Sequence, residues 1–336
     1  MKAEIKLIKA ILHILDANVS MPVLSTQELE LTGETESFLT RHIQKILDDG
    51  NIQDSVFIPD SRMFGIINGF IGGTTGFVET SRSVATFLFE ILIKNIEIPS
   101  ADLAVCLFSC EGREYLGILK LNYKTGYSHY VSNFEGGVSN TIITQKTLMP
   151  LENQKITECA VVSIRDMKVK VLQKDYEING SKEEYWSKIF LQCHSELSNS
   201  SKLNILDRTT QKIAKKYFEE DFSKVAKARS VLAESLEEAS SVKIDELAHE
   251  VFESNEEIKK EYKEELHKAG IRENSVSISN ELVGRKVRNQ KIRTDTGIEI
   301  NFPSHYFNDK DKIEFINNVD GTVSIVIKNI GKIQNR

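Results

Sequence analysis

The sequence contains no long hydrophobic run, since no stretch of about 18 apolar residues occurs along its 336 residues. The N-terminal segment MKAEIKLIKAILHILD interrupts its apolar positions with charges and is not followed by a small-residue cleavage site. We therefore expect no membrane span and no secretory leader, and a protein that stays in the cytoplasm.

Cysteine and proline are both scarce. The four cysteines show no CxxC spacing and are too few for a disulfide framework, so we expect reduced, partly buried thiols. Five prolines and a hydrophobic content of 40% favour an ordered chain. The length exceeds that of a usual single-core domain and predicts two or three domains.

The chain also lacks an excess of positive charge. Its net charge of −6 argues against a protein that coats DNA by bulk positive charge, because phosphate contacts come from lysine and arginine. Any contact with DNA must therefore be local.

Catalytic and metal-binding signatures are absent from the sequence. The seven histidines form no HExxH or other ligand pair, and no GxSxG occurs. The glycine-rich segment 65–76 lacks the GK[ST] of a phosphate-binding loop, so we interpret it as a hinge or flexible loop. We predict no catalytic residue, no cofactor and no metal.

Hydrophobic periodicity predicts an α+β fold. In the first part, Ile5–Leu15 fits helix or strand, with strand favoured, VLSTQELEL suggests a second extended piece, and residues 34–49 and 81–94 fit helices. LAVCLFSCEGREYLGILKLNY predicts two strands around Glu111-Gly112. TIITQKT, ECAVVSI and KVKVLQK predict further strands, giving an antiparallel sheet over about 100–175.

The later part changes to helix and then back to strand. EEYWSKIFLQ and the stretch from 206 to about 269 fit helices, and Ile244, Leu247, Ala248, Val251 and Phe252 share one helical face. GIEINF, DKIEFINN and TVSIVIKNI predict strands, the last two joined at Val319-Asp320-Gly321. The expected domains are a mixed or antiparallel sheet domain with helices (1–180), a helical middle domain (181–284), and a basic linker with a small β module (285–336).

The closing stretch TDTGIEINFPSHYFNDKDKIEFINNVDGTVSIVIKNIGKI (294–333) is similar to the C-terminal module of NdpA-like nucleoid-associated proteins. AILHILD with PVLS, the strand pair LAVCLFSCEGREYLGILKLNY, and the order of sheet, helices and small β end resemble that bacterial family across nearly the whole chain. The resemblance implies association with the nucleoid, DNA binding, and contact with other chromosome-handling proteins. It implies no enzymatic activity and no cofactor, and no residue roles are carried over from it.

The sharpest local feature is RKVRNQKIR, a basic run without an acid that can neutralise phosphates. Its charged residues are Arg285, Lys286, Arg288, Lys291 and Arg293. The alternative interpretation is a solvated linker between the helical domain and the β module. A second, acid-diluted basic segment lies at 212–229 among the aromatics Tyr217, Phe218 and Phe222, which we expect to pack into a core. Its basic residues are Lys212, Lys215, Lys216, Lys224, Lys227 and Arg229.

The segment VKIDELAHEVFESNEEIKKEYKEELHKAGI superficially resembles a helix-turn-helix. Six acids against four lysines between 251 and 269 argue against a major-groove helix there and favour packing against other helices or a partner subunit. We therefore expect no base-specific recognition.

These features favour a nucleoid-associated protein that binds double-stranded DNA with little sequence preference. The main alternative is an interaction module that reaches the nucleoid through a chromosome-handling partner such as a topoisomerase, using its acidic and apolar helical surface. An uncharacterised nuclease or hydrolase is a third, less favoured class. A homodimer would double the basic run and strengthen DNA binding.

Overall fold

The computed structural model of the chain describes residues 4–218, 222–238, 241–252, 255–277 and 289–334. The chain divides into two units, Met1–Glu196 and Leu197–Arg336. The first unit thus extends past residue 180 and includes the segment up to Glu196. A further boundary at residue 285 stays a prediction.

The first unit is built around one large sheet. Its strands are β1 (Ile5–Leu15), β2 (Gln53–Phe57), β3 (Ala101–Cys110), β4 (Arg113–Asn122), β5 (Lys124–Phe134), β6 (Gly137–Leu148), β7 (Cys159–Ser163), β8 (Lys168–Leu172), β9 (Tyr176–Ile178), β10 (Ser181–Glu183) and β11 (Cys193–Ser195). Seven of them form the sheet in the order β1-β3-β4-β7-β8-β2-β11, with antiparallel neighbours throughout. The predicted antiparallel sheet is confirmed, and β1 settles the ambiguity of the N-terminal segment as strand.

Helices cover both faces of this sheet. They are α1 (Gly33–Leu47), α2 (Arg62–Ile71) and α3 (Phe77–Leu92). The unit also contains a π-helical segment (Trp186–Leu191). In β3, Ala104 belongs to the hydrophobic cluster that contains α1, whereas the next residue, Val105, belongs to the cluster that contains α2 and α3. Because alternate residues of a strand point to opposite faces, β3 must be apolar at nearly every position, as LAVCLF is.

The prediction of a loop over 65–76 is wrong for its first half. Residues up to Ile71 form α2, which begins at the side chain of Ser61, whose Oγ accepts the backbone N–H of Phe64 at 3.3 Å. Met63 and Ile67 on this helix are fully buried. Burial of this apolar face outweighs the helix penalty of glycine, about 1 kcal/mol for each residue. The predicted extended piece VLSTQELEL is also wrong apart from Val23, which forms an isolated bridge to Ile14.

Strands β5 and β6 form a separate two-stranded hairpin and pair with each other. The predicted strand TIITQKT is confirmed as part of β6, whereas β5 was not predicted. The chain reverses at Glu135-Gly136, where Gly136 adopts a φ of 103°, a conformation open to glycine.

The second unit is helical and ends in short strands. Its described helices are α4 (Asn199–Phe218), α5 (Phe222–Glu238), α6 (Ile244–Phe252) and α7 (Glu256–Lys268), and its described strands are β12 (Ser241–Lys243), β13 (Ser275–Ser277), β14 (Asn289–Arg293), β15 (Glu299–Pro303), β16 (Ile313–Asn317) and β17 (Val323–Ile327), with a 3-10 helix at Ser304–Asn308. The helices share one core, in which all five predicted apolar positions of α6 are buried. The predicted hairpin around Val319-Asp320-Gly321 is confirmed as β16 and β17. The α+β class is therefore confirmed.

Candidate nucleic-acid interface

The described part of the basic run is β14, which pairs antiparallel with β15. Because alternate residues share a face, Lys291 and Arg293 lie on the same side of the strand, where both are exposed. Ile292 between them is half-buried, and Phe302 of β15, on the same side as Ile292, is buried. This part of the run is thus a strand of an amphipathic hairpin rather than a linker, and its two cations lie on the polar face.

The two cations of β14 differ in their contacts. Lys291 Nζ lies 2.7 Å from Glu299 Oε2 on the neighbouring strand, and both side chains are largely exposed. Arg293 is paired in register with Glu299 but makes no ion pair within the described part of the chain. The guanidinium of Arg293 is therefore available to an external anion, whereas Lys291 must first leave Glu299.

The remaining three cations of the run, Arg285, Lys286 and Arg288, lie outside the described residues. Their part in an interface therefore rests on their sequence position next to β14. They immediately precede the strand that exposes Lys291 and Arg293.

The second basic segment contributes two lysines to contacts between helices α4 and α7. Lys216 Nζ lies 2.7 Å from Glu261 Oε1, and Lys212 forms an ion pair with Glu265. Hydrogen bonds from Lys212 and then Lys268 lower the pKa of Glu265 to about 2. These two lysines of α4 are therefore already partly neutralised by α7.

Other members of that segment are placed differently. Lys215, also on α4, is exposed and forms no ion pair with a described residue. Lys227 is exposed on α5, whereas the side chains of Lys224 and Arg229 lie outside the described ones. Phe218 packs against the helical core, as predicted for the aromatics, but Tyr217 is 40% exposed and donates its hydroxyl to Glu261 at 2.6 Å.

Helix α7 is a packing helix. Its apolar side chains Ile258, Tyr262 and Leu266 are buried in the helical core, and the hydroxyls of Tyr262 and Thr210 on α4 lie 3.0 Å apart. The predicted packing of this segment against other helices is confirmed, because the apolar face of α7 packs against α4.

A buried polar cluster in the first unit escaped the sequence analysis. The carboxylate of Glu158 contacts Lys120 Nζ at 3.2 Å, and it accepts hydrogen bonds from Asn122, Tyr176 and Tyr185. The side chains of Lys120 and Glu158 are fully buried. Burial lowers the pKa of Lys120, and burial followed by the charge of Glu158 raises the pKa of both tyrosines. Because the Glu158 carboxylate is satisfied by four hydrogen-bond donors, the cluster has a structural role, in which it connects β4 to the segment 176–185.

A buried histidine beside a serine does not form an activated nucleophile. The backbone N–H of Ser25 donates to His13 Nδ1 at 3.1 Å, so the proton of the neutral imidazole resides on Nε2, which lies 3.1 Å from Ser81 Oγ. Ser81 Oγ in turn donates to the carbonyl of Val78 at 2.7 Å. The histidine therefore donates to the hydroxyl and cannot accept its proton. Burial, followed by the charge of Arg82, lowers the pKa of His13 to about 4.

The described residues form no metal site, and their cysteines are not placed for thiol chemistry. Across the described ranges, no group of three or more His, Cys, Asp or Glu side chains could hold a metal ion. All four cysteines are free and buried, as expected, and burial raises the pKa of Cys106 to about 12. None of the described helices is long and apolar enough to cross a membrane.

The exposed basic face of β14 thus belongs to a chain whose net charge is −6. Residues 11–334 match the family model described as nucleoid-associated protein YejK, and the chain belongs to this family of nucleoid-associated proteins. Membership confirms the resemblance drawn from the terminal segments and associates the protein with the bacterial nucleoid. No curated protein matches the chain at a significant level.

Proposed function

We propose that the protein binds double-stranded DNA directly, with little sequence preference, through the basic run 285–293. The observation that carries the proposal is the distribution of charge. Residues 285–336 contain ten basic and six acidic residues, a net charge of +4, in a chain whose net charge is −6. Because lysine and arginine gain affinity for DNA by releasing counterions from phosphates, the positive charge of this segment suits it to a polyanion.

The geometry of β14 supports contact with phosphates rather than with base edges. Lys291 and Arg293 stand on one exposed face of a short hairpin, and backbone phosphates can be reached from such a face without entering a groove. The helix that superficially resembled a reading helix packs into the protein core through Tyr262 and its neighbours. Binding through phosphates alone positions a protein on DNA without selecting a sequence.

The segment 212–229 is the lesser contributor in this proposal. Lys212 and Lys216 are held by acids of α7, so binding a phosphate there would break an existing ion pair. Lys215 and Lys227 remain exposed on α4 and α5.

A second candidate function is recruitment by a chromosome-handling protein such as a topoisomerase, without direct DNA contact. The exposed acids Glu257 and Glu264 of α7 favour it, since they offer negative charge to a basic partner. Direct binding and recruitment differ in whether the purified protein alone binds a duplex.

The test is fluorescence anisotropy of a labelled random-sequence duplex with the purified protein and a variant carrying Arg285→Glu, Lys286→Glu and Arg288→Glu. We expect the triple variant to bind at least about a hundredfold more weakly, because three phosphate contacts become repulsive. The matched control reverses three exposed lysines of the first unit, Lys94, Lys168 and Lys182, and changes the net charge equally. Equal losses in both variants would contradict a local site, and no binding by the parent would favour recruitment.

A further inference from the structure

The β5–β6 hairpin is exposed along its whole length. Every residue from Lys124 to Leu148 is exposed except Gly126, Ser132 and Ile143, which are half-buried. A two-stranded hairpin without a packed face is marginally stable in water. The 11 and 12 residues of its strands nevertheless form a continuous ladder, apart from one irregularity near Lys124. A hairpin of this length therefore requires a partner surface.

One face of the hairpin carries four exposed apolar side chains, one in each of its four cross-strand pairs. In the observed register, Tyr127 and Val131 of β5 stand on the same face as Val138 and Ile142 of β6, because directly paired residues and alternate residues share a side. Their exposed fractions are 77%, 47%, 61% and 78% in that order. The residues paired with them are polar, namely His129, Asn133, Asn140 and Thr144.

The charge of the hairpin argues against DNA as the occupant. From 124 to 148 the charged residues are Lys124, Glu135 and Lys146, two of them near the base of the hairpin and the third at its tip. Binding to a phosphate backbone requires several closely placed cations, which this surface lacks. A face that combines exposed apolar side chains with polar, mostly uncharged ones instead fits a second face of the same kind.

We propose that the face defined by Tyr127, Val131, Val138 and Ile142 packs against the same face of a second copy of the chain. A two-fold axis brings identical faces together and satisfies both at once. At about 3.4 Å per residue and about 10–15 Å in width, the face covers roughly 35 Å by 10–15 Å. Covering it in both copies removes roughly 700–1,050 Å² from solvent, the size of a small, transient interface.

A small interface favours weak, reversible association, and we expect a dimer that dissociates at roughly micromolar concentration. Self-association depends on residues of the hairpin and does not require those of the basic run.

The test is sedimentation velocity of the full chain between about 1 and 100 µM, with the variants Ile142→Lys and Thr141→Lys. Thr141 is the neighbour of Ile142 on β6 and is exposed on the opposite face, so its substitution is the matched control for charge and for folding. We expect the parent and Thr141→Lys to approach twice the monomer mass of 38.1 kDa as concentration rises. Ile142→Lys should raise the dissociation constant at least about tenfold.

Three outcomes would overturn the proposal. A parent that remains monomeric at the highest concentration excludes self-association, and loss of duplex binding by Ile142→Lys would then assign the hairpin to DNA. An Ile142→Lys variant that dimerises like the parent excludes this face as the interface. Equal weakening by both lysine substitutions excludes a role specific to the Tyr127 face.

Discussion

At the scale of single residues, the ion pair between Lys291 and Glu299 limits what β14 offers to DNA. While the pair holds, the lysine ammonium is 2.7 Å from a carboxylate and its charge is shared. Release of the lysine costs little, because such exposed pairs contribute about 0–1 kcal/mol. In the proposed interface, Glu299 of β15 thus competes with a DNA phosphate for Lys291.

Removing that competitor should strengthen binding. In Glu299→Gln, Lys291 becomes free to contact a phosphate, and we expect tighter duplex binding and a salt dependence steeper by about 0.9 in the slope of log K against log salt. Titrations by anisotropy at several salt concentrations measure this slope. The control Asp54→Asn removes the same charge and frees Lys170 in the first unit, 2.8 Å away. If both variants steepen the slope equally, the effect belongs to net charge and not to β14.

His13 makes the stability of the first unit depend on pH. Its pKa is about 4 in the folded chain and about 6.5 when unfolded, so between these values the unfolded chain binds a proton that the folded chain excludes. Stability therefore falls as the pH drops from about 6.5 to 4, by up to about 3 kcal/mol from this residue. Above about pH 6.5 the imidazole is neutral in both states and its contribution is complete.

Urea unfolding at several pH values between about 4.5 and 7 tests this dependence. In His13→Gln the slope of the unfolding free energy against pH should flatten by up to about 1.4 kcal/mol for each pH unit, corresponding to one proton. His194→Gln, at an exposed position of β11, serves as the control and should keep the slope of the parent. An unchanged slope in His13→Gln would show that the buried imidazole is not the group responsible.

At the scale of secondary-structure elements, the pairing of α4 with α7 distinguishes the basic segment 212–229 from the proposed binding run 285–293. We expect the double substitution Lys212→Gln and Lys216→Gln to lower the unfolding free energy by less than about 2 kcal/mol, since surface ion pairs are weak. Duplex affinity should fall far less than in the variant reversed at 285, 286 and 288. An equal loss of affinity would instead make α4 part of the main interface.

The elements that were predicted correctly are those whose signal is local. A few neighbouring residues suffice to recognise each of them. Examples are the α6 face with Ile244 and Val251, the turn at Glu111-Gly112 and the strands of the C-terminal end. In contrast, α2 was interpreted as a loop because glycines dominate its sequence, whereas burial of Met63 and Ile67 by the rest of the unit decides its structure. Tertiary burial of this kind is invisible to a local pattern.

The candidate site shows the same limit. The basic run could be recognised from its composition. That part of it forms a strand in which Lys291 contacts Glu299 depends on pairing with β15. The ion pairs of Lys212 and Lys216 join residues 53 and 45 positions apart, and the Lys120–Glu158 contact spans 38 positions. Such separations are set by the fold, so a sequence pattern cannot assign which cations are already neutralised. The turn signal Glu135-Gly136-Gly137 between alternating residues could have identified β5.

At the scale of the whole molecule, the proposed DNA binding rests on an uneven distribution of charge. A chain with a net charge of −6 is repelled by DNA at a distance, and a C-terminal segment of +4 gives it a local attraction. Two copies joined through the β5–β6 hairpin would carry two such segments and bind DNA by joint engagement. Self-association and DNA binding would then reinforce each other while depending on different residues.

The most direct test of direct DNA binding is the salt dependence of duplex affinity between about 50 and 200 mM salt for the parent and the variant reversed at Arg285, Lys286 and Arg288. With five phosphate contacts the slope of log K against log salt should be about −4.5, or about −3.6 while Lys291 stays with Glu299. The reversed variant should lose at least about 2.7 of that steepness. Parent binding that hardly responds to salt, or a variant with the slope of the parent, would contradict phosphate contact through this run.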